Sequence, residues 1–175
     1  MNSDPGNPEI DIRAYSDQAE RIAEYAAATC RGFKAVKLSA TGKHFPGRGH
    51  SAMDAHCSVP VIDVDMDTLW NRDLLPYRHL VELELLPSVM LAHTIYPVVD
   101  PEAIATVSRK LIAECIWEST SKSSALGVSG SARAGGSGYV INPSFLAKRH
   151  KPLADNNFIH SLGRCVSLFV LGCPG

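Results

Sequence analysis

Helix and strand patterns alternate along the first two thirds of this chain, and this alternation restricts the fold more than any other feature. Apolar residues recur at helical spacing over Asp17–Phe33, and the run Ala35–Phe45 is typical of a strand. A second helix is predicted over Asp67–Leu85, bent or divided at Pro76, and a short buried strand over Pro87–Ala92. Such an order favours parallel strands joined by helices, in a (β/α)8 barrel or an open α/β sheet.

Local signals mark where these elements begin and end. Asp17 and Glu20 have the spacing of a capping box, and Gly32 is a stop signal for the first helix. Thr94–Val107 is predicted to be a loop, after which Ser108 caps a further helix.

Polar residues collect directly after the predicted strands. His44 lies at the end of the first strand, Asp54 and His56 lie in the loop beyond it, and His93 follows the second strand. Both candidate folds place their active sites at the carboxyl ends of the strands, so the sequence predicts a site there.

The charge distribution divides the chain near Glu114. Residues 1–114 carry 11 Lys and Arg against 16 Asp and Glu, whereas residues 115–175 carry 6 against 2. The second region also holds 8 Gly and 10 Ser, clustered from Ser119 to Ser137. We therefore expect two regions: 1–114 as the structured part and 115–175 as a Ser/Gly-rich, basic and irregular tail.

The bulk composition excludes several classes of protein. A formal net charge of -1 gives no indication of a nucleic-acid or membrane partner. No apolar run approaches the ~20 residues of a membrane span, and the first residues lack the pattern of a signal peptide, which predicts a cytoplasmic protein. Five cysteines without CxxC spacing favour free thiols over a disulfide framework or a zinc ribbon.

The pair Asp54-x-His56 carries recognisable chemistry. A carboxylate that accepts a proton from one imidazole nitrogen orients the ring and stabilises the imidazolium, which leaves the other nitrogen to act as acid and base. A motif this short also occurs often by chance, with both side chains exposed to solvent and without a role. The set His44, His50, Asp54 and His56 also suits a zinc ion by residue type, although no HExxH spacing supports it.

A longer ordered pattern surrounds this pair. Its centre is Lys43-His44-Phe45-Pro46-Gly47-x-Gly49, followed by Asp54-x-His56 and Pro60. Upstream lie Asn7-Pro8-x-Ile10 and Arg13-Ala14-Tyr15, and downstream lie Met90-x-Ala92-His93-x-x-Tyr96-Pro97, Asp100-Pro101 and Ser108. This pattern resembles the β-N-acetylglucosaminidase (β-N-acetylhexosaminidase) branch of the family 3 glycoside hydrolases over about residues 2–114.

The resemblance implies a fold and a set of roles. The fold would be the middle strands and helices of a (β/α)8 TIM-type barrel. Asp54 and His56 would form the acid/base dyad, and Arg13, Lys43 and His44 would bind a small carbohydrate containing N-acetylglucosamine, such as a cell-wall fragment during recycling. The resemblance implies no metal and no cofactor. His93 is expected to be a hydrogen-bonded histidine at the barrel mouth.

Part of the enzyme expected from this resemblance is missing. A full barrel takes ~250 residues, and family members use an aspartate nucleophile on a later strand. After Glu114 the acids are Glu118 and Asp155, and neither has the expected context. We therefore expect a fragment whose tail is frame-shifted or fused foreign sequence, and whose exposed barrel edges self-associate. A genuine extension of unknown role is the alternative for the tail. The alternatives are an inactive truncated product or sugar-binding remnant, and β-glucosidase-type specificity.

Overall fold

The computed structural model of the chain describes residues 1–7, 9–54, 57–112 and 140–141, and in them helices alternate with strands. A short 3-10 turn, Asp11–Arg13, precedes the first helix. The elements in chain order are α1 (Ala19–Ala35), β1 (Thr41–Phe45), α2 (Met66–Thr68) continued by a π-helical turn (Leu69–Asp73), α3 (Leu75–Glu82), β2 (Ser88–Leu91), β3 (Ile95–Tyr96), β4 (Asp100–Ile104), α4 (Arg109–Leu111) and β5 (Val140–Ile141). Residues 115–139 and 142–175, most of the predicted tail, lie outside the described residues.

Helix α1 confirms the first predicted helix, but both of its ends differ from the prediction. Its N-cap is Gln18, which makes no side-chain cap, and the Ser16 hydroxyl accepts the Gln18 amide at 3.1 Å. The predicted capping box at Asp17 is therefore wrong. The helix also continues past Gly32 and ends where Lys37 takes a φ of 59°, with the Leu38 amide bonded to the Phe33 carbonyl at 2.9 Å. This is the Schellman arrangement, made here with a lysine instead of glycine.

The second predicted helix is divided, which is one of the two outcomes expected from Pro76. Asp65 caps α2 by accepting the Thr68 amide at 2.6 Å, and the π-helical turn follows. Helix α3 begins at Leu75, so Pro76 lies in its first turn. Proline is tolerated there because the amides of a first turn have no partner inside the helix.

Strands β1 and β2 are parallel neighbours, with Thr41 opposite Ser88 and Lys43 opposite Met90. This confirms the parallel pairing expected from the alternation, although β1 is shorter than the predicted run. The far side of β2 pairs antiparallel with β5, so the sheet order is β1-β2-β5.

The segment predicted as a loop after β2 instead contains a hairpin. Strands β3 and β4 pair antiparallel, and Ile95 also forms a parallel bridge with Val61. The predicted cap is confirmed: the Ser108 hydroxyl accepts the Leu111 amide at 3.1 Å and donates to Asp100 Oδ2 at 2.7 Å.

The core lies where α1 and α3 pack together and against the sheet. Its most buried large side chains include Ile22 of α1, Leu80 of α3 and Leu91 of β2. Burial of such side chains is the main stabilising contribution in a domain of this kind. Within the described part of the chain, no helix has the length and apolar character needed to cross a membrane.

Candidate active site

Lys43 and His44 lie at the carboxyl end of β1, where the sequence placed a site. Both are half-buried, and both line a surface depression that Arg48, Asp73 and Tyr77 also line. The Lys43–His44 and Phe45–Pro46 peptide bonds are cis.

Burial first, and neighbouring cations second, lower the pKa of both side chains. Burial, with the charges of Arg13 and Arg48, lowers the pKa of Lys43 below its usual 10.5, and Glu9 opposes the shift. Burial lowers the pKa of His44 from 6.5 to about 3, and Arg48, Lys43 and Arg13 add to the effect. His44 is therefore neutral at physiological pH, so its ring can both donate and accept a hydrogen bond.

Arg13 reaches the same region from the turn that precedes α1. Its Nη1 donates to the Glu9 carbonyl at 3.3 Å and lies 3.9 Å from Glu9 Oε1. Its charge acts on both Lys43 and His44. The structure thus places Lys43 and His44 in one depression, with Arg13 near enough for its charge to act on both but outside the lining.

Asp54 lies half-buried in the loop that follows β1. Its carbonyl oxygen accepts the amides of Cys57 and Ser58 at 3.1 and 3.2 Å. His56 lies outside the described residues. The pairing of Asp54 with His56 therefore stays a prediction.

Two residues of the site, Glu9 and Arg48, were missed by sequence reasoning. They form a salt bridge through Glu9 Oε2 and Arg48 Nη2, with only 6% and 5% of their side chains exposed. Both occupy positions that the sequence pattern left variable: Glu9 in Asn7-Pro8-x-Ile10 and Arg48 in Pro46-Gly47-x-Gly49. The one sequence signal for this salt bridge was that the two variable positions carry opposite charges.

The turn after β1 packs closely against Asp73 and accepts a hydrogen bond from Tyr96. Gly47 has a φ of 145°, a conformation that favours glycine, and a Cβ there would meet the Asp73 Cβ at 3.2 Å. The Tyr96 hydroxyl donates to the Gly47 carbonyl at 2.5 Å. Arg72 holds Asp73 through two contacts, at 2.9 and 3.1 Å. These contacts fix the loop that carries the site.

Two buried polar atoms in the lining of the depression have no hydrogen-bond partner among the described residues. They are Arg48 Nε and the Tyr77 hydroxyl. Buried polar groups are normally paired in proteins, so this lining suits a polar ligand or ordered water.

His93 is hydrogen-bonded, as expected. The Thr106 hydroxyl donates its one proton to the Ala92 carbonyl at 2.9 Å, so His93 Nδ1, 2.7 Å away, must be the donor to that hydroxyl. This leaves His93 Nε2 as an acceptor when the ring is neutral.

The part of the chain that the structure describes holds no cluster of side chains that would support the alternative of a zinc site. There, no three His, Cys, Asp or Glu side chains are grouped to hold a metal ion. His50 is exposed, with its Nδ1 3.4 Å from the Ser3 hydroxyl.

Comparison with known proteins shows the family. The model of the glycosyl hydrolase family 3 N-terminal domain matches residues 1–119. The β-hexosaminidase of Pseudomonas aeruginosa is 38% identical over 107 residues, covering 61% of this chain and 31% of that protein. β-Hexosaminidase A of Pseudoalteromonas piscicida is 33% identical over 100 residues, covering 57% of this chain and 17% of that protein.

A solved structure gives the same relationship. The family 3 β-N-acetylglucosaminidase of Paenibacillus sp. str. FPU-7 has a TM-score of 0.66 at 33% identity, over 69% of this chain and 23% of the other. The chain thus spans less than a third of the length of each of these relatives. Its α/β segment resembles part of a TIM-type barrel domain. Because the family model matches more than half of its residues, the chain belongs to glycoside hydrolase family 3, in the β-N-acetylglucosaminidase branch.

Proposed function

We propose that this chain supplies the sugar-binding and acid–base part of a glycosidase that removes terminal β-N-acetylglucosamine. The observation that carries the proposal is that Lys43 and His44 line one depression at the carboxyl end of β1, close enough to Arg13 for its charge to act on both. Two cations and a neutral imidazole supply donors and an acceptor, a combination suited to the hydroxyl groups of a sugar. The unpartnered Arg48 Nε and Tyr77 hydroxyl in the same lining favour a polar ligand as well.

In this proposal Asp54 and His56 form the acid/base dyad. The Asp54 carboxylate orients the ring of His56 and stabilises its cationic form, and His56 donates its proton to the glycosidic oxygen as the bond breaks. After departure of the leaving group, the neutral ring takes a proton from the attacking water.

A retaining mechanism also needs a carboxylate nucleophile. We propose that this carboxylate lies outside the segment that matches the family, and that residues 1–114 form a piece of the barrel with 115–175 as an unrelated tail. On this view the parent enzyme acts on N-acetylglucosamine-containing cell-wall fragments in the cytoplasm, and the isolated chain binds sugar with little or no turnover.

Sugar binding to the 175-residue chain tests the proposal directly. We expect N-acetylglucosamine to perturb the amide NMR signals of residues 43–45 and 47–48, and to bind more tightly than glucose. Lys43→Met should weaken binding by about tenfold, because a hydrogen bond to a charged group contributes ~1.5–3 kcal/mol. The matched control, Lys37→Met, changes an exposed lysine at the end of α1 and should leave the affinity unchanged. Equal or tighter binding of glucose would favour β-glucosidase-type specificity instead.

The dyad is tested at the aligned positions of an active relative, such as the Pseudomonas aeruginosa β-hexosaminidase. The substitutions corresponding to His56→Ala and Asp54→Asn should each reduce kcat on natural substrates by ~10²–10⁴-fold. The two losses should not add, because Asp54 acts through His56. Aryl glycosides with good leaving groups need little protonation, so their glycosylation step should be largely spared. Unchanged turnover of natural substrates after the histidine substitution would rule out the assigned acid/base.

A further inference from the structure

Glu9 is a buried carboxylate at the centre of the cation cluster. Its Oε2 binds Arg48 Nη2, and its Oε1 lies 3.9 Å from Arg13 Nη1. Its charge also acts on Lys43. Glu9 therefore faces three cations, two of which are the sugar-binding cations of the proposed function.

The backbone around Glu9 is fixed by its neighbour Asn7. The Asn7 side-chain oxygen accepts the amides of Glu9 and Ile10, both at 2.9 Å. Its side-chain nitrogen donates to the Arg48 carbonyl at 2.8 Å. One buried asparagine side chain thus links the backbone around Glu9 to the loop of Arg48. The Glu9–Arg48 ion pair is a second link between the same two segments.

We propose that Glu9 is a positioning residue for sugar binding: its carboxylate, anchored by Arg48, keeps the side chains of Arg13 and Lys43 in place beside the depression. This inference rests on the proposed function, because it assigns Glu9 an effect on the same sugar site. Without a carboxylate among them, three neighbouring cations would repel one another and move apart.

A simple loss of stability must be separated from a loss of positioning. Glu9→Gln leaves Arg48 buried without its counter-ion, which is destabilising in itself. The double variant Glu9→Leu/Arg48→Met replaces the buried pair with apolar side chains, and such exchanges often retain stability. It also removes two opposing charges near Lys43, so the protonation of Lys43 should change little. Because Arg48 also lines the depression, the double variant alone does not separate orientation from a lost Arg48 contact. Glu9→Asp keeps Arg48, so recovery of affinity in Glu9→Asp relative to Glu9→Gln is the measure of orientation.

The experiment measures the dissociation constant of N-acetylglucosamine, the melting temperature, and the pKa of Lys43 by NMR titration of its side chain, all in the 175-residue chain. Glu9→Gln should lower the pKa of Lys43 further and weaken binding. The double variant should melt close to the parent but bind about tenfold more weakly. Glu9→Asp should restore part of the affinity lost in Glu9→Gln. The matched control Glu24→Gln, an exposed carboxylate on α1, should change none of the three quantities.

Parental affinity in the folded double variant would overturn the positioning role and leave Glu9 a structural residue. An unchanged pKa of Lys43 in Glu9→Gln would overturn it as well. If the parent chain itself bound no sugar, the proposed function would fail, and the Lys43 titration alone would then decide whether Glu9 controls this cation.

Discussion

His44 is a neutral hydrogen-bonding group, and its protonation opposes folding. Burial lowers its pKa to about 3, and the cations Arg48, Lys43 and Arg13 contribute in the same direction. A lowered folded pKa means that the unfolded chain takes up a proton first as the pH falls. The stabilisation from a neutral His44 is therefore complete above pH 6.5 and is lost progressively toward pH 3.

This gives a prediction for the pH dependence of stability. Between about pH 6 and about pH 4.5 the free energy of unfolding should fall by roughly 1–2 kcal/mol because of His44, since one proton taken up on unfolding contributes ~1.4 kcal/mol per pH unit. Urea titrations at the two pH values measure the slope. His44→Gln should remove most of it, whereas His50→Gln, an exposed control, should retain it.

Among the described residues, the other groups whose pKa is shifted on folding act mostly outside this pH range. Burial lowers the pKa of the Met1 amino group to about 6 from 8.0, so most of its effect falls above this range. The lowered pKa of Asp100, caused chiefly by its hydrogen bond with Ser108, acts below the range. A slope equal in the parent and in His44→Gln would contradict the assignment to His44.

At the level of single residues, the sequence identified those with a fixed place in the family pattern. Arg13, Lys43 and His44 were predicted in this way, and in the structure the charge of Arg13 acts on both Lys43 and His44. Glu9 and Arg48 escaped because their contact joins positions 39 residues apart, and nothing in the local pattern links them. Such a pair is decided by tertiary packing, which a single sequence does not report.

At the level of elements, a buried pair of hydroxyl groups links β1 to β2. Ser88 donates its one proton to the Ala40 carbonyl at 3.1 Å, so Thr41 must be the donor across the 2.7 Å contact between the two hydroxyls. Both residues are almost fully buried. The chain of hydrogen bonds therefore fixes the start of the parallel pairing below the site.

This direction of donation predicts unequal effects of substitution. Ser88→Ala leaves the Thr41 hydroxyl buried without an acceptor and should cost ~1–3 kcal/mol of the free energy of unfolding. Thr41→Val removes a donor but leaves the Ser88 bond to Ala40 intact, so it should cost about 1 kcal/mol or less. The double variant should cost less than the sum, because no hydroxyl is then stranded.

Urea unfolding of the four proteins in this cycle measures the coupling. Ser39→Ala serves as the control, because Ser39 is exposed just before the strand. Strict additivity, or a larger loss for Thr41→Val than for Ser88→Ala, would contradict the deduced direction of the hydrogen bonds.

Elements with strong local signals were predictable, and those built by distant pairing were not. Helix α1 and the parallel pair β1 and β2 follow from periodicity and alternation. The hairpin of β3 and β4 was missed because β3 has two residues and is fixed by backbone bonds from Ile95 to Pro60 and from Ile62 to Ile95, both 2.9 Å. Such a strand is too short for a period of two to be visible in the sequence.

At the level of the whole molecule, the N-terminal segment folds back over the loop of the site. The Asp4 amide donates to the Gly49 carbonyl at 3.1 Å, and a Cβ at Gly49 would clash with the Met1 carbonyl oxygen. The N-terminal segment and the loop of the site are thus bonded to each other beside the depression. The sheet that carries this loop has three strands among the described residues. Among the described residues β1 pairs with β2 alone, so the other edge of β1 carries backbone groups without a strand partner.

A sheet edge that no described strand pairs with predicts self-association, because such an edge is a template for another strand. We expect the weight-average mass from analytical ultracentrifugation to rise with the concentration of the chain. Hydrogen exchange should locate the contact: amides of β1 should exchange more slowly at high concentration, whereas those in the middle of α1, such as Ala26, should not respond. The helix is the internal control, because its amides are bonded within the same chain whether or not chains associate. A mass that stays monomeric at every concentration, together with one sharp cooperative melt, would show that this edge is covered within a single chain and that the expected association through barrel edges is wrong.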